Sequence, residues 1–197
     1  ISEIILVDNG NAPDAEAWID SFIARTDNAR LIRMGDNPGF GTAVNRGAAS
    51  ALGDLVLVIN PDAIIRRGSV GPLVVALGLG QWTLDEEPAP KEPIAVGAVS
   101  GAFFLMRRKA FRAIGGFDEG YFLHVEDVDL CRRVIEAGGA VIYQPLAGAL
   151  HYGATSDAPS SVVQAHKAQS LTRYFRKFAK GPLERALVTA VSPFFAI

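Results

Sequence analysis

The chain predicts an α/β fold with a mainly parallel central sheet and flanking helices. Three observations carry that expectation. Apolar runs and amphipathic stretches alternate as strand, helix, strand, helix, strand from Ile4 to Ile59. The runs at residues 4–7 and 55–59 are continuously aliphatic, the pattern of strands buried on both faces. Each run ends at a turn holding an aspartate, Asp8 or Asp62, and ligands of such sheets sit at the carboxyl ends of strands.

The elements follow in order. Residues 4–7 form a strand ended by the turn Asp8-Asn9-Gly10-Asn11. Residues 14–26 form a helix with Trp18, Ile19, Phe22 and Ile23 on one face. Residues 29–34 give a second strand. The glycine-rich loop 35–41 runs into an alanine-rich helix at 42–52, and the strand 55–59 is broken by Asn60-Pro61-Asp62. Residues 69–79 read as a helix, and the acidic, proline-rich stretch 81–93 as a loop. Strands at 95–99 and 102–106 surround Ser100-Gly101. A short helix at 109–114 stops at Gly115-Gly116, and a longer one at 127–137 stops at Gly138-Gly139. A strand at 140–143 and a helix at 164–179 complete the chain, the helix carrying Leu171, Tyr174, Phe175 and Phe178 on one side. The expected organisation is one domain over 1–160 and a helical tail over 161–197. The chain begins inside a strand, which predicts a segment before Ile1.

Composition bounds the function. A chain of 197 residues, 49% hydrophobic and 20% charged, can build one sizeable globular core. A net charge of −2 argues against a general nucleic-acid binder, which needs a basic excess. A single cysteine, Cys131, excludes a disulfide framework within the chain and fits a reducing compartment. No run of 18 or more apolar residues is present. The basic-aromatic helix of the tail and the apolar residues 186–197 suit either packing on the domain or contact with a membrane surface.

The candidate chemistry concentrates in five places. Asp62 follows a buried strand directly, and a hard oxygen ligand there suits Mg²⁺ or Mn²⁺; Asn-Pro-Asp is also good turn chemistry. Asp8 can accept hydrogen bonds from a base or a ribose, or simply open a turn. The loop GDNPGFG offers backbone amides at a helix start, but matches neither GxGxxG nor a P-loop. In residues 126–133 Asp127 lies on a stripe with Cys131 and Val134 and so faces the domain, whereas Asp129 pairs with Arg133 at i+4 as surface support. An ionised carboxylate at that helix mouth can act as a general base or as a cap. His151, after an apolar run, suits a core, a turn or a metal site.

Six stretches in order resemble family 2 glycosyltransferases of the GT-A fold, in their bacterial rhamnosyltransferase-like branch. They are ILVDNGN at 5–11, DNPGFGTAVNRG at 36–47, LVINPDA at 57–63, SGAFFLMRR at 100–108, GGFDEGYFLHVEDVDLCRR at 115–133 and HYGATS at 151–156. The resemblance implies that Asp8 holds the nucleotide base. Asn9, Asn37, Gly39, Gly41, Asn45, Asn60 and Gly101 would frame the nucleotide-sugar site. Asp62 would bind the metal, Mg²⁺ or Mn²⁺, with Asn60 in place of the first Asp of a DxD motif, and His151 would be a further metal or diphosphate ligand. The Glu126-Asp127 pair would be catalytic, with Asp127 the base. The implied reaction is inverting, metal-dependent transfer from a nucleoside diphosphate sugar, dTDP-rhamnose favoured, to a saccharide or lipid-linked saccharide in cell-envelope synthesis. The implied place is the cytoplasm, at the inner face of the membrane. A catalytically inactive nucleotide-sugar-binding module and a nucleotidyltransferase are the competing readings. The second needs a basic glycine-rich signature near the N-terminus, which is absent from this sequence.

Overall fold

The computed structural model describes residues 1–76, 90–152 and 159–196. Most of the expected loop at 81–93, the end of the helix at 69–79 and most of the HYGATS stretch lie outside them. The elements are β1 (Ile4–Asp8), α1 (Pro13–Ala24), β2 (Ala29–Arg33), α2 (Phe40–Ser50), β3 (Leu55–Ile59), β4 (Ala63–Ile65), α3 (Val70–Ala76) and β5 (Ile94–Ala95). They continue with β6 (Phe103–Arg107), α4 (Arg108–Ala113), α5 (Glu126–Glu136), β7 (Ile142–Tyr143), β8 (Ala149–His151), α6 (Ser160–Phe178), α7 (Pro182–Val191) and a 3₁₀ turn at Ser192–Ala196.

The α/β architecture is as expected, but the strand pairing is more mixed. Strands β1 and β2 pair in parallel, while β3–β6, β4–β8 and β5–β7 are antiparallel ladders. The reason is local. The Asn60-Pro61-Asp62 turn closes with Ala63 N–H donating to the Asn60 carbonyl at 3.1 Å, which sends the chain into β4 instead of a crossover helix. The strand expected at 95–99 is only two residues long, because the chain turns at Ser100-Gly101 to enter β6.

Small residues set how closely the layers approach. The buried face of α2 is Gly41, Ala43, Gly47 and Ala48. A Cβ on Gly47 would lie 3.1 Å from Val7 of β1, so this helix rests on the strand nearly backbone to side chain. The apolar face expected on α1 is only half covered, and Trp18 is exposed.

Two apolar clusters meet at α5. Phe117 is almost fully buried and has Phe40, Phe104 and Phe111 edge-on around it at centroid distances of 5.6–6.0 Å. Leu130 of α5 joins that cluster, and the neighbouring Cys131 joins a second one with Val96 and Val141. Burying a side chain such as Phe117 stabilises by roughly 1.5–3 kcal/mol, so α5 is anchored on two sides before any polar contact is counted. The tail helix α6 lies against α5, with the Arg132 guanidinium 3.9 Å from the Phe178 ring centroid. Helix α7 instead leaves Leu183 and Leu187 largely in solvent.

Candidate active site

A continuous run of contacts links the loops that carry the expected site residues. Asn9, after β1, donates from Nδ2 to Oδ1 of Asn37 at 2.8 Å, and that same oxygen accepts the Gly39 N–H at 3.1 Å. Gly39 has φ of +98°, and a Cβ on it would lie 2.7 Å from the Phe122 carbonyl oxygen. Only glycine satisfies both conditions. The loop before α2 therefore abuts the loop before α5. Gly101 continues the run: its N–H donates to Asp127 Oδ2 at 2.9 Å, and its Cα faces the Phe40 ring. Beside it the Asn60 N–H donates to the Ala102 carbonyl at 2.9 Å, and two residues on, Asp62 Oδ1 meets His151 Nε2 at 3.1 Å. The Tyr152 N–H donates to the Asp62 carbonyl, which fixes β4 and β8 at this end.

The expected residues differ in how their polar groups are used. Asp8 is 3% exposed, and its Oδ1 accepts from both the backbone N–H and Nδ2 of Asn11, at 3.1 and 2.7 Å. It organises its own turn, with Arg33 at 3.6 Å. Asn45 is fully engaged away from the loop before α2: it exchanges hydrogen bonds with the Phe117 backbone and donates to Glu119. Gly41 packs its Cα against Phe117. These contacts make Asn45 and Gly41 a seam between α2 and the turn before α5.

Three buried side-chain oxygens among the described residues have no hydrogen-bond partner: Asn9 Oδ1, Asn60 Oδ1 and Glu126 Oε2. Unpaired buried polar atoms are rare and costly, so their grouping on site loops is informative. The two amide oxygens, Asn9 Oδ1 and Asn60 Oδ1, are acceptors, suited to a donor-bearing or cationic ligand. The donor set Asn60 Oδ1, Asp62 and His151 combines hard oxygen with imidazole and is compatible with Mn²⁺ or Mg²⁺. No group of three or more His, Cys, Asp or Glu side chains converges among the described residues. A divalent ion would thus need further oxygens from a ligand.

The helix mouth of α5 separates its three carboxylates sharply. Asp127 is half-buried, and its two oxygens accept backbone N–H groups of Gly101 and Val128, at 2.9 and 2.8 Å. Glu126 is 7% exposed, and burial, reinforced by the adjacent Asp127 charge, pushes its carboxyl up to about 7. Asp129 is not the surface residue its i+4 spacing suggested. It is 0% exposed and bonds Arg133 Nε at 2.6 Å, Lys177 Nζ at 2.6 Å and the Tyr121 hydroxyl at 3.2 Å. The i+4 pair with Arg133 exists as expected, but α6 and Tyr121 close over it.

Sequence reasoning missed Asp118, Tyr121 and Lys177. Asp118 is held at about 2: burial raises it, but the hydrogen bonds from Lys177 and Arg173 together outweigh that. Burial and the neighbouring Asp129 raise the Tyr121 hydroxyl, so it stays a donor. The available signal was Arg173 and Lys177 at i, i+4 on one helix, opposite an acidic loop.

Similarity to known proteins identifies the family and the fold. Residues 1–79 match the model of glycosyl transferase family 2. The chain is 32% identical over 221 residues to an N-acetylglucosaminyl-diphospho-decaprenol L-rhamnosyltransferase of Mycobacterium tuberculosis, covering 83% of this chain and 71% of that one. Among solved structures, GalNAc-T7 with UDP, GalNAc and Mn²⁺ superposes with a TM-score of 0.67 at 16% identity, over 98% of this chain and 48% of that one. A mannosyltransferase of Pyrobaculum calidifontis with GDP-Man and Mn²⁺ superposes at 0.66 and 14% identity, over 98% and 62%. The chain thus spans less than two thirds of either solved protein. The alternating strands and helices, the loops they bring together and the identity to the mycobacterial enzyme lead to one conclusion: this chain is a GT-A-fold member of glycosyltransferase family 2, of the rhamnosyltransferase-like kind.

Proposed function

We propose that the protein transfers a hexose, rhamnose favoured, from a nucleoside diphosphate donor to a saccharide carried on a lipid diphosphate, with inversion at the anomeric carbon. The observation that carries this reading is that the unpartnered oxygens of Asn9, Asn60 and Glu126 stand just after β1 and β3 and at the mouth of α5. The mycobacterial relative's name supports the sugar and the lipid-linked acceptor, and the two solved relatives were crystallised with Mn²⁺. dTDP-rhamnose is the favoured donor.

The chain's own residues divide the work. Asn9, Asn37 and Gly39 line the donor side, with the buried Asp8 organising the turn that presents Asn9 and Gly101 joining that side to Asp127. Asp127 removes the proton from the acceptor hydroxyl. Each of its oxygens accepts one backbone N–H and keeps a lone pair for that proton. The acceptor oxygen then bonds to the anomeric carbon as the carbon–oxygen bond to the diphosphate breaks. Asp62 and His151, with Asn60 Oδ1, are the residues that would hold Mg²⁺ or Mn²⁺, which supplies charge neutralisation for the leaving diphosphate. Glu126 lies buried beside Asp127 and is close to half-protonated near neutral pH. That spares Asp127 a second full negative charge at its side.

No helix among the described residues is long and apolar enough to cross a membrane. The exposed apolar side of α7, with Leu183 83% and Phe194 of the following turn 69% exposed, is where the protein would meet the bilayer carrying its acceptor. The proposed setting is the cytoplasmic membrane face.

Three outcomes are expected. In a thermal-shift panel, nucleoside diphosphate sugars raise the melting midpoint only with Mn²⁺ or Mg²⁺. Asp127→Asn keeps that shift and loses transfer by about a hundredfold or more. A flat panel sinks the donor reading, an active Asp127→Asn sinks the base, and binding without turnover in the parent protein points to an inactive module. The second outcome concerns Glu126. Its folded value is raised from 4.5 to about 7, so its contribution to stability is present below 4.5 and lost as pH rises through 7. Denaturant titrations at roughly pH 5 and 8 should differ by on the order of 1–3 kcal/mol more in the parent than in Glu126→Gln. An equal difference in both would refute the burial argument. Third, the protein co-sediments with anionic lipid vesicles and Leu183→Asp with Leu187→Asp does not; parent protein left in the supernatant removes the membrane contact.

A further inference from the structure

We propose that Lys177, together with the face of α6 on which it stands, positions the Glu126–Asp127 pair, so that the tail helix is a splint for the loop presenting the base. This rests on the glycosyltransferase reading above.

The geometry is ordered along one helical face. His166, Ser170, Arg173 and Lys177 succeed one another at spacings of four, three and four, a single stripe of a helix. Each meets the loop before α5. The His166 ring tilts onto Phe122 at 4.4 Å between centroids. Ser170 Oγ donates to the Leu123 carbonyl at 2.8 Å. Arg173 donates to Asp118 at 2.7 Å, lies 5.3 Å over the Tyr121 ring and fills the space that a side chain at Gly120 would need. Lys177 reaches farthest in, donating to Asp118 Oδ2 at 2.7 Å and to the buried Asp129 Oδ1 at 2.6 Å. One face thus grips residues 118, 120–123 and 129.

The segment between the grips is strained. His124 and Val125 sit consecutively at φ of 65° and 70°. A β-branched residue in the left-handed region is an outlier that persists only when its surroundings over-determine it. Here α6 holds the upstream side. Arg133, bonded to Asp129 and to the carbonyls of Ile114 and Gly116, holds the downstream side. The strained pair immediately precedes Glu126 and Asp127. Releasing one grip lets the pair relax and carries the carboxylate at Asp127 away from the Gly101 N–H. Lys177 touches none of the proposed reacting groups and is therefore a positioning residue.

The test compares the parent, Lys177→Met and Lys177→Arg in the full chain. Transfer kinetics and amide hydrogen exchange are both read. Lys177→Met should lower kcat by about a hundredfold, the scale of a 1 Å misplacement, with donor KM unchanged and faster exchange confined to residues 119–128. Lys177→Arg, which retains the charge, should recover most of both. A Lys177→Met protein with parental kcat and parental exchange overturns the proposal. So does one that loses donor binding and melting midpoint in parallel, the mark of a merely structural lysine. If the parent transfers no sugar at all, the functional reading fails, and the exchange pattern alone still decides the splint. Should Lys177→Met not fold, Ser170→Ala removes a single hydrogen bond from the same face. Faster exchange at 121–125 supports the splint, and no change there refutes it.

Discussion

The carboxylate of Asp129 is the constraint on which the site depends. A fully buried charge costs several kcal/mol in desolvation and persists only with close, charged partners. Asp129 has two cations and a phenol within hydrogen-bonding distance. Those partners come from different parts of the chain. Arg133 is on the same helix and also grips the turn at Ile114 and Gly116. Tyr121 is in the loop, and Lys177 is in the tail helix. Satisfying one buried charge therefore brings a turn, a loop and two helices into register. Phe117, Phe111 and Leu130 pack next to this point and remove the alternative of letting water in.

The proposed donor side is built on a different principle, the close approach of small residues. Gly47 lets α2 settle on β1, Gly39 lets the loop before α2 touch the loop before α5, and Gly101 lets β6 begin against Asp127. None of these contacts contributes much energy by itself. Together they bring α2, the loop before α5 and the start of β6 into close contact. The polar groups left unpaired stand just after β1 and β3 and at the mouth of α5. A protein evolved only to fold would satisfy them.

Much of the fold was legible because its signals are local. Continuous aliphatic runs gave β1 and β3 almost to the residue, and Gly115-Gly116 and Gly138-Gly139 ended α4 and α5 where glycine ends helices. The stripe through Asp127, Cys131 and Val134 does turn toward the domain, with Cys131 buried and Asp127 and Val134 half-buried, but it gave no sign that Glu126 and Asp129 are buried more deeply than Asp127. What was illegible is long-range. The spacing of Asp129 and Arg133 describes a surface pair and an interior pair equally well, and only the arrival of Lys177 from 48 residues away decides which it is. Asn45 looks like a ligand residue in its motif, yet its amide is matched to the Phe117 backbone 72 residues on. The short ladder of β4 and β8 was missed for the same reason. Three residues carry too little pattern to announce a strand whose partner lies at the other end of the chain.

The proposed transfer is a single displacement, with Asp127 as base and no protein nucleophile. Its most direct test is the anomeric configuration of the product. When the protein is supplied with a nucleoside diphosphate hexose and a lipid-linked saccharide acceptor, magnetic resonance of the isolated glycoside should show the configuration opposite to that of the donor. A product that retains the donor configuration would contradict the account, because it requires either two displacements or a front-side path that Asp127 does not serve.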